Sequence, residues 1–269
     1  MDFTKPIIIM ASGNSVPFLN SQFYRTGCGL PLKLQELVHY NYSIGLNYFW
    51  RYGCSTTFNT FGDWQYYEDN YEDLKKLPLI IGSHDPQLVK HGKSIIHDNT
   101  ILLNNSGIYN GKDSIAKGVY TKQLIGIWSL SLAIALGFKE IYLIGYDCCE
   151  INSQTHFYQG VIDLKKSTPI YIREKLADHR LHFRGLGKKE NGQYNTSTYN
   201  IKKHLNEKWF APFQAERKTI KIYNVSPESA IEVFEKIDYE TFYSKIKNNH
   251  IDQTDSREEI KQIIQEKLK

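Results

Sequence analysis

Charge of one sign, long apolar runs, a cysteine frame and the familiar nucleotide signatures are all scarce or missing in this chain. Lys and Arg number 33 against 29 Asp and Glu, a formal net charge of +4. Dedicated nucleic-acid binders concentrate far more positive charge on one face, so that class has little support. No run approaches the about 18 apolar residues of a membrane span. The opening segment has only Ile7 to Met10 as an apolar run after Pro6, which lacks the apolar core of a secretory leader. Four cysteines, at 28, 54, 148 and 149, form no Cys-x-x-Cys. The adjacent pair does not easily bridge to itself, so reduced thiols in a cytoplasmic protein are expected. No G-x-G-x-x-G, G-x-x-x-x-G-K-[ST] or G-x-S-x-G occurs, which disfavours the common dinucleotide, P-loop and hydrolase sites.

What is present is an ordinary globular balance. The 269 residues are 41% hydrophobic and 23% charged, which excludes wholesale disorder and suffices for one large domain with an appendage. The departure is aromatic content, 13%, with 19 tyrosines.

Local patterns point to an α/β fold. Residues 7–11 form a short β-branched run that stops at a small-residue turn, the signature of a buried strand. Residues 32–38 suit a helix, residues 44–49 and 54–60 the next strand region, 63–76 a helix, and 78–82 a strand ending in glycine. Residues 100–107 read as strand or loop and 108–121 as loop. Residues 124–137 are apolar on nearly every face, a buried helix closed by Gly137. Residues 140–145 are a buried strand ending at Gly145. Helix, glycine, strand and then a polar residue is the rhythm of a parallel sheet. Residues 150–200 carry few apolar runs and read as an insertion or lid. Residues 200–211 suit a helix, 218–227 a last strand and turn, and 240–269 a polar, peripheral helix.

In an open parallel sheet, ligands bind outside the carboxyl ends of the strands. Ser12, Gly13, Asn14 and Ser15 occupy such a place. Small residues there let backbone N–H groups approach phosphate or ribose oxygens, and an ordinary turn is the other reading. Asn47 and Asn59 each carry a donor and an acceptor suited to a nucleobase or a sugar hydroxyl, or they simply form turns. Asp147, just past a buried strand, suits a ribose hydroxyl, a metal or a helix cap. His179 and His182 lie among Arg180 and Arg184. A histidine can take a proton from a hydroxyl while arginine stabilises phosphate charge. A solvated polar loop is the alternative, and no third ligand follows to make a metal site.

Taken together, these segments resemble the bacterial sialyltransferases of glycosyltransferase family 42 and the related domain-of-unknown-function 115 group. That group includes flagellin-glycosylation proteins, a pterin pyrophosphokinase and many phage proteins. The resemblance runs from Gly126 through Leu136-Gly137-Phe138-Lys139-Glu140-Ile141-Tyr142-Leu143-Ile144-Gly145-Tyr146-Asp147. It is joined by Ile9-Met10-Ala11-Ser12-Gly13-Asn14-Ser15-Val16, by Asn47 and Asn59 in their apolar settings, and more weakly by the segment from Lys221 to Ser229. It implies that Ser12, Gly13 and Ser15 form the nucleotide loop and that Asn47 and Asn59 contact the nucleotide sugar, with Gly126 and Asp147 in the same site. The chain departs from the family at the lid. Leu186 stands where the sialyltransferases carry their catalytic histidine, Cys149 stands at one lid tyrosine, and Leu124-Ile125 replaces a threonine-serine pair.

The expectations are therefore these. The fold is α/β, Rossmann-like, with a mostly parallel sheet flanked by helices and a lid insertion, a glycosyltransferase-A-like variant. Residues 1–150 form the nucleotide-binding core, 151–200 the lid, 201–239 the remainder of the core and 240–269 the terminal helix. The resemblance implies a glycosyltransferase that uses a nucleotide sugar, CMP-sugar first, and a glycan or other hydroxyl acceptor. His182, then His179, is the base; Arg180, Arg184, Tyr158 and Tyr194 stabilise the departing phosphate; no metal or cofactor is required. Two other classes stay open: a Mg²⁺-dependent pyrophosphokinase with Asp147 on the metal, and a non-catalytic nucleotide-binding module. DNA as acceptor has little support beyond Lys112, Lys117 and Lys122. Self-association into a homo-oligomer is left open.

Overall fold

A computed structural model describes residues 2–19, 27–84, 96–122, 124–149, 189–190, 193–194 and 203–269. Among the described residues, twelve strands run in chain order as β1 (Ile7–Met10), β2 (Tyr42–Leu46), β3 (Phe58–Phe61), β4 (Ile80–Ser83), β5 (Thr100–Leu103), β6 (Asn105–Ser106), β7 (Val119–Tyr120), β8 (Glu140–Ile144), β9 (Lys189–Glu190), β10 (Gln193–Tyr194), β11 (Lys221–Asn224) and β12 (Glu235–Lys236). The helices are α1 (Leu32–Tyr40), α2 (Trp64–Asp69), α3 (Tyr71–Leu74), α4 (Ser114–Lys117), α5 (Ile125–Leu136), α6 (Tyr239–Lys245) and α7 (Gln253–Leu268).

Eight strands make one sheet in the order β12-β11-β8-β1-β2-β3-β4-β5, and every neighbouring pair in it is parallel. The α/β expectation with a mostly parallel sheet is met. Such a sheet must be covered on both faces, and its strands read as continuous apolar runs for that reason. Ile7, Ile8, Ile9 and Met10 are all fully buried. Alternate residues serve opposite faces. Ile7 and Ile9 pack with Ile127, Leu130 and Ala133 of α5. Ile8 and Met10 pack with Leu34, Leu37 and Val38 of α1 and Phe242 of α6.

The helix expected over 124–137 is α5, and Gly137 closes it in a left-handed conformation at φ 116°. Elsewhere the structure differs from the sequence reading. Residues 47–52 form a 3₁₀ turn rather than strand: Phe49 and Tyr52 bury against the α1 side, and tertiary packing overrides β propensity. The loop expected over 108–121 contains a 3₁₀ turn, α4 and β7, held by Ser131 of α5, which accepts from the Tyr120 N–H and donates to the Ser114 hydroxyl. The helix expected over 200–211 is a π turn over Leu205–Trp209 followed by a 3₁₀ helix over Ala211–Lys218. The terminal segment is two helices, and α7 is more than a polar surface: Ile260 and Ile264 are fully buried in the α5-side core.

The cysteines require a correction. Cys28 and Cys54 are joined in a disulfide, with Cα atoms 5.6 Å apart, whereas Cys148 and Cys149 are free. A separation of 26 residues carries no sequence signal. The fold brings the two together by laying residues 27–29 against residue 53. Gly53 stands at φ 77°, so close to Gly27 that a Cβ would overlap the Gly27 carbonyl. The cytoplasmic expectation loses the support it drew from reduced thiols. Among the described residues no helix is long and apolar enough to cross a membrane.

Candidate functional site

Chain order in the sheet reverses between β1 and β8. From β1 the strands run outward through β2, β3, β4 and β5 on one side, and β8, β11 and β12 lie on the other. This is the topological switch point, and in open parallel sheets ligands bind at such a point, outside the carboxyl ends of the strands. The loop after β1 carries Ser12 to Ser15, and the loop after β8 carries Gly145 to Asp147.

Here the two loops are locked together. The Ala11 N–H donates to the Ile144 carbonyl at 2.8 Å, and the Gly13 N–H to the Gly145 carbonyl at 3.0 Å. The Ser15 N–H donates to one Asp147 carboxylate oxygen at 2.7 Å, and the Ser15 hydroxyl donates to the other. Gly13 is required by this contact: a Cβ would lie 2.4 Å from the Gly145 carbonyl and 2.6 Å from the Asp147 carboxylate. Asp147 is buried. Burial raises its pKa above the ordinary value, against the lowering by the two Ser15 bonds. The Tyr239 hydroxyl, buried and without a hydrogen-bond partner, feels the Asp147 charge. Asp147 thus braces the Ser12–Ser15 turn, and neither of its oxygens is left without a partner.

On the other side of β1 lie the two asparagines. Asn59 sits within β3, 4% exposed, in register with Gly45 of β2. Its side-chain oxygen occupies the space a Gly45 Cβ would fill, at 2.5 Å, and is buried without a hydrogen-bond partner. A buried acceptor left unpaired costs about 1–3 kcal/mol. Asn47 begins the 3₁₀ turn after β2 in a left-handed conformation, φ 47°. Its carbonyl accepts from the Tyr66 hydroxyl at 2.6 Å.

The third wall is the start of α5. Gly62, immediately after β3, approaches Ile125, and Gly126 lies beneath the Tyr146 ring, where a Cβ would meet the ring at 2.9 Å. The Tyr146 hydroxyl donates to the Gly126 carbonyl at 3.0 Å. The first turn of α5 has no side-chain cap and no acidic residue, so its N–H groups and positive dipole end stand at the carboxyl edge of the sheet. Gly126 therefore serves the packing of Tyr146 at this helix start.

The structure brings Ser12, Gly13, Asn14, Ser15, Gly126 and Asp147 to the switch point, with Asn47 and Asn59 on the β2 and β3 side. His179, His182, Arg180, Arg184 and Tyr158 lie outside the described residues, and of Tyr194 only the backbone, in the β9–β10 hairpin, is described. The Cys148 thiol is pushed up to about 12 by burial and by Asp147 and Cys149, and burial also raises Cys149. Neither is a thiolate nucleophile at neutral pH. Among the described residues no three His, Cys, Asp or Glu side chains converge as a metal-holding group. Sequence reasoning placed Tyr146 here with Gly145 and Asp147, and missed Tyr66 and Tyr239 as parts of this region. Their signal was only the tyrosine excess, which does not say which rings meet which loops.

No protein-family model matches the chain, and no curated protein matches it significantly. Among solved structures, the chain is similar to the sialyltransferase CstII from Campylobacter jejuni in complex with a substrate analogue, CMP-3FNeuAc. The match has 16% identity and a TM-score of 0.44, and covers 93% of this chain and 89% of that chain.

Proposed function

We propose that the chain is a glycosyltransferase that binds a nucleotide sugar at the carboxyl ends of β1, β2, β3 and β8 and transfers the sugar to a hydroxyl acceptor. The observation that carries this is the convergence at the switch point. The Asp147-braced turn of small residues meets an uncapped helix start there, with an unpaired asparagine oxygen in β3, two strands from β1. The α5 terminus suits the diphosphate or phosphate of the donor, beside a Ser12–Ser15 turn whose Gly13 and Ser15 N–H groups are taken by Gly145 and Asp147. The amides of Asn47 and Asn59 suit its sugar and base edges. The sequence resemblance makes a CMP-sugar the first donor to test.

In this reading the acceptor hydroxyl loses its proton to His182, or to His179, as it attacks the anomeric carbon. The bond from that carbon to the donor phosphate breaks, and Arg180, Arg184, Tyr158 and Tyr194 stabilise the charge that leaves with the nucleotide. The donor's own phosphate takes the electron pair, so no metal is required by the balance of the step.

The test is a panel of CMP-, UDP- and GDP-sugars, read by thermal stabilisation and by donor hydrolysis. At least one should do both. If none stabilises the protein and none is hydrolysed, the reading is abandoned; binding without turnover would leave a nucleotide-binding module. Asn59→Leu separates site from scaffold. It removes a buried unpaired acceptor at nearly constant shape, so stability should hold or rise while donor binding is lost. Unchanged turnover in His182→Ala would pass the base role to His179.

A further inference from the structure

The turn that begins with Asn47 is held by a relay of side chains. The Trp50 indole N–H donates to the Tyr66 hydroxyl at 2.6 Å, and the Tyr66 hydroxyl lies 2.6 Å from the Asn47 carbonyl. The direction of this relay is forced. Indole nitrogen only donates and carbonyl oxygen only accepts. The phenol must therefore accept from Trp50 and aim its one proton at Asn47. Tyr66 is 6% exposed, and burial holds its phenol neutral, with its pKa raised far above the ordinary value.

A second ring of contacts fixes the two donors. The Tyr66 carbonyl accepts from the Asn70 amide at 2.7 Å, and the Asn70 oxygen accepts from the Arg51 guanidinium at 2.6 Å. That guanidinium lies over the rings of Tyr48 and Trp50, at 4.9 and 5.1 Å. The Tyr48 and Tyr66 rings meet edge to face at 4.8 Å. The loop closes on itself: Asn47, Tyr66, Asn70, Arg51, Trp50 and back to Tyr66.

What this cage holds is costly by itself. Asn47 stands at φ 47°, a conformation that L residues adopt at some cost and that asparagine tolerates better than most. Such a conformation persists where the surroundings over-determine it. The backbone angle sets the direction in which the Asn47 side chain leaves the chain.

We infer that Tyr66, with Trp50 as its fixed donor, is a positioning residue for the donor-sugar contact made by Asn47. The inference rests on the proposed nucleotide-sugar reading, because it assigns Asn47 a ligand. Tyr66 touches no substrate; it acts by pinning the carbonyl of the residue that does.

The experiment uses the full chain and three variants: Tyr66→Phe, Asn47→Ala and the double substitution. Tyr66→Phe keeps the ring and removes one hydroxyl. Its peptide spanning residues 46–53 should exchange amide hydrogens at least several-fold faster, with β1 and β8 unchanged, whether or not any ligand is present. With the donor that stabilises the wild type, affinity in Tyr66→Phe should fall about tenfold, the worth of one hydrogen bond. In the Asn47→Ala background the same substitution should cost nothing further, because linked residues are non-additive. A merely structural role would lower affinity by equal factors in both backgrounds. Unchanged exchange over 46–53, or a full additive loss, overturns the inference. If the wild type itself binds no nucleotide sugar, the functional reading fails and the exchange result still decides whether the relay holds the turn. Should Tyr66→Phe fold poorly because the Trp50 N–H is left buried and unpaired, Trp50→Phe with Tyr66→Phe removes both partners and restores a foldable variant with the same expected loss.

Discussion

Ser15 and Asp147 are 132 positions apart and share a part-buried pair of bonds that sets the shape of the Ser12–Ser15 turn. Hydrogen bonds to a charged group are worth about 1.5–3 kcal/mol, so Ser15→Ala should lower stability by that order, measured by urea unfolding. The pH dependence has a definite sign. Burial raises the folded-state pKa of Asp147 above the ordinary carboxylate range, so the folded state holds that proton more tightly than the unfolded chain. This contribution to stability is fully present below the unfolded value and is lost as pH rises through the folded value. The wild type should therefore gain stability relative to Asp147→Asn as pH falls from neutrality through the folded value. Paired urea midpoints at several pH values measure it, and a wild type that loses ground in acid would show the Ser15 bonds to dominate. Gly126 makes a simpler case. Gly126→Ala places a methyl 2.9 Å from the Tyr146 ring and should cost about 1–3 kcal/mol as overpacking, seen as a lower melting temperature.

At the scale of elements, the segments around the switch point are tied by cross-links that secondary structure alone would not supply. The Cys28–Cys54 bridge joins the segment after the β1 loop to the end of the 3₁₀ turn that begins with Asn47. On the same stretch the Leu19 N–H donates to the Gly29 carbonyl at 2.6 Å. Disulfides of this kind typically contribute about 2–4 kcal/mol. Cys28→Ser with Cys54→Ser should lose that much in denaturant unfolding, and a dithiol should lower the wild-type midpoint and leave the double variant unmoved. From the other end of the chain, Arg257 of α7 donates to the carbonyls of Thr57 and Thr56 at 2.9 and 3.0 Å. The strand that carries Asn59 is thereby held at its entry by the last helix.

For the whole molecule, α7 decides whether the α5 face of the sheet is closed. Ile260 and Ile264 are fully buried, in one cluster with Ile127, Leu130 and Ile134. Ile264→Ala should cost about 2–5 kcal/mol, the range for truncating a core aliphatic, and removal of residues 253–269 should abolish cooperative unfolding in a calorimetric scan. What the sequence determined by itself was the part governed by local rules. The apolar runs at 7–10 and 141–144, the all-round apolar helix at 125–136 and the glycine that ends it state a doubly covered parallel sheet, because only burial on both faces permits them. The place of Ser12–Ser15 and Asp147 followed from the same logic, since ligands of such sheets bind outside the carboxyl ends of the strands. The tertiary structure alone decided what those residues do. Asp147 is a brace for Ser15, Gly126 is a seat for Tyr146, Cys28 and Cys54 form a bridge, and Tyr66 holds Asn47. Each of these is a contact between segments far apart in the chain. Its existence depends on strand order and on distances of a few ångströms, and neither is written in any local pattern of residues.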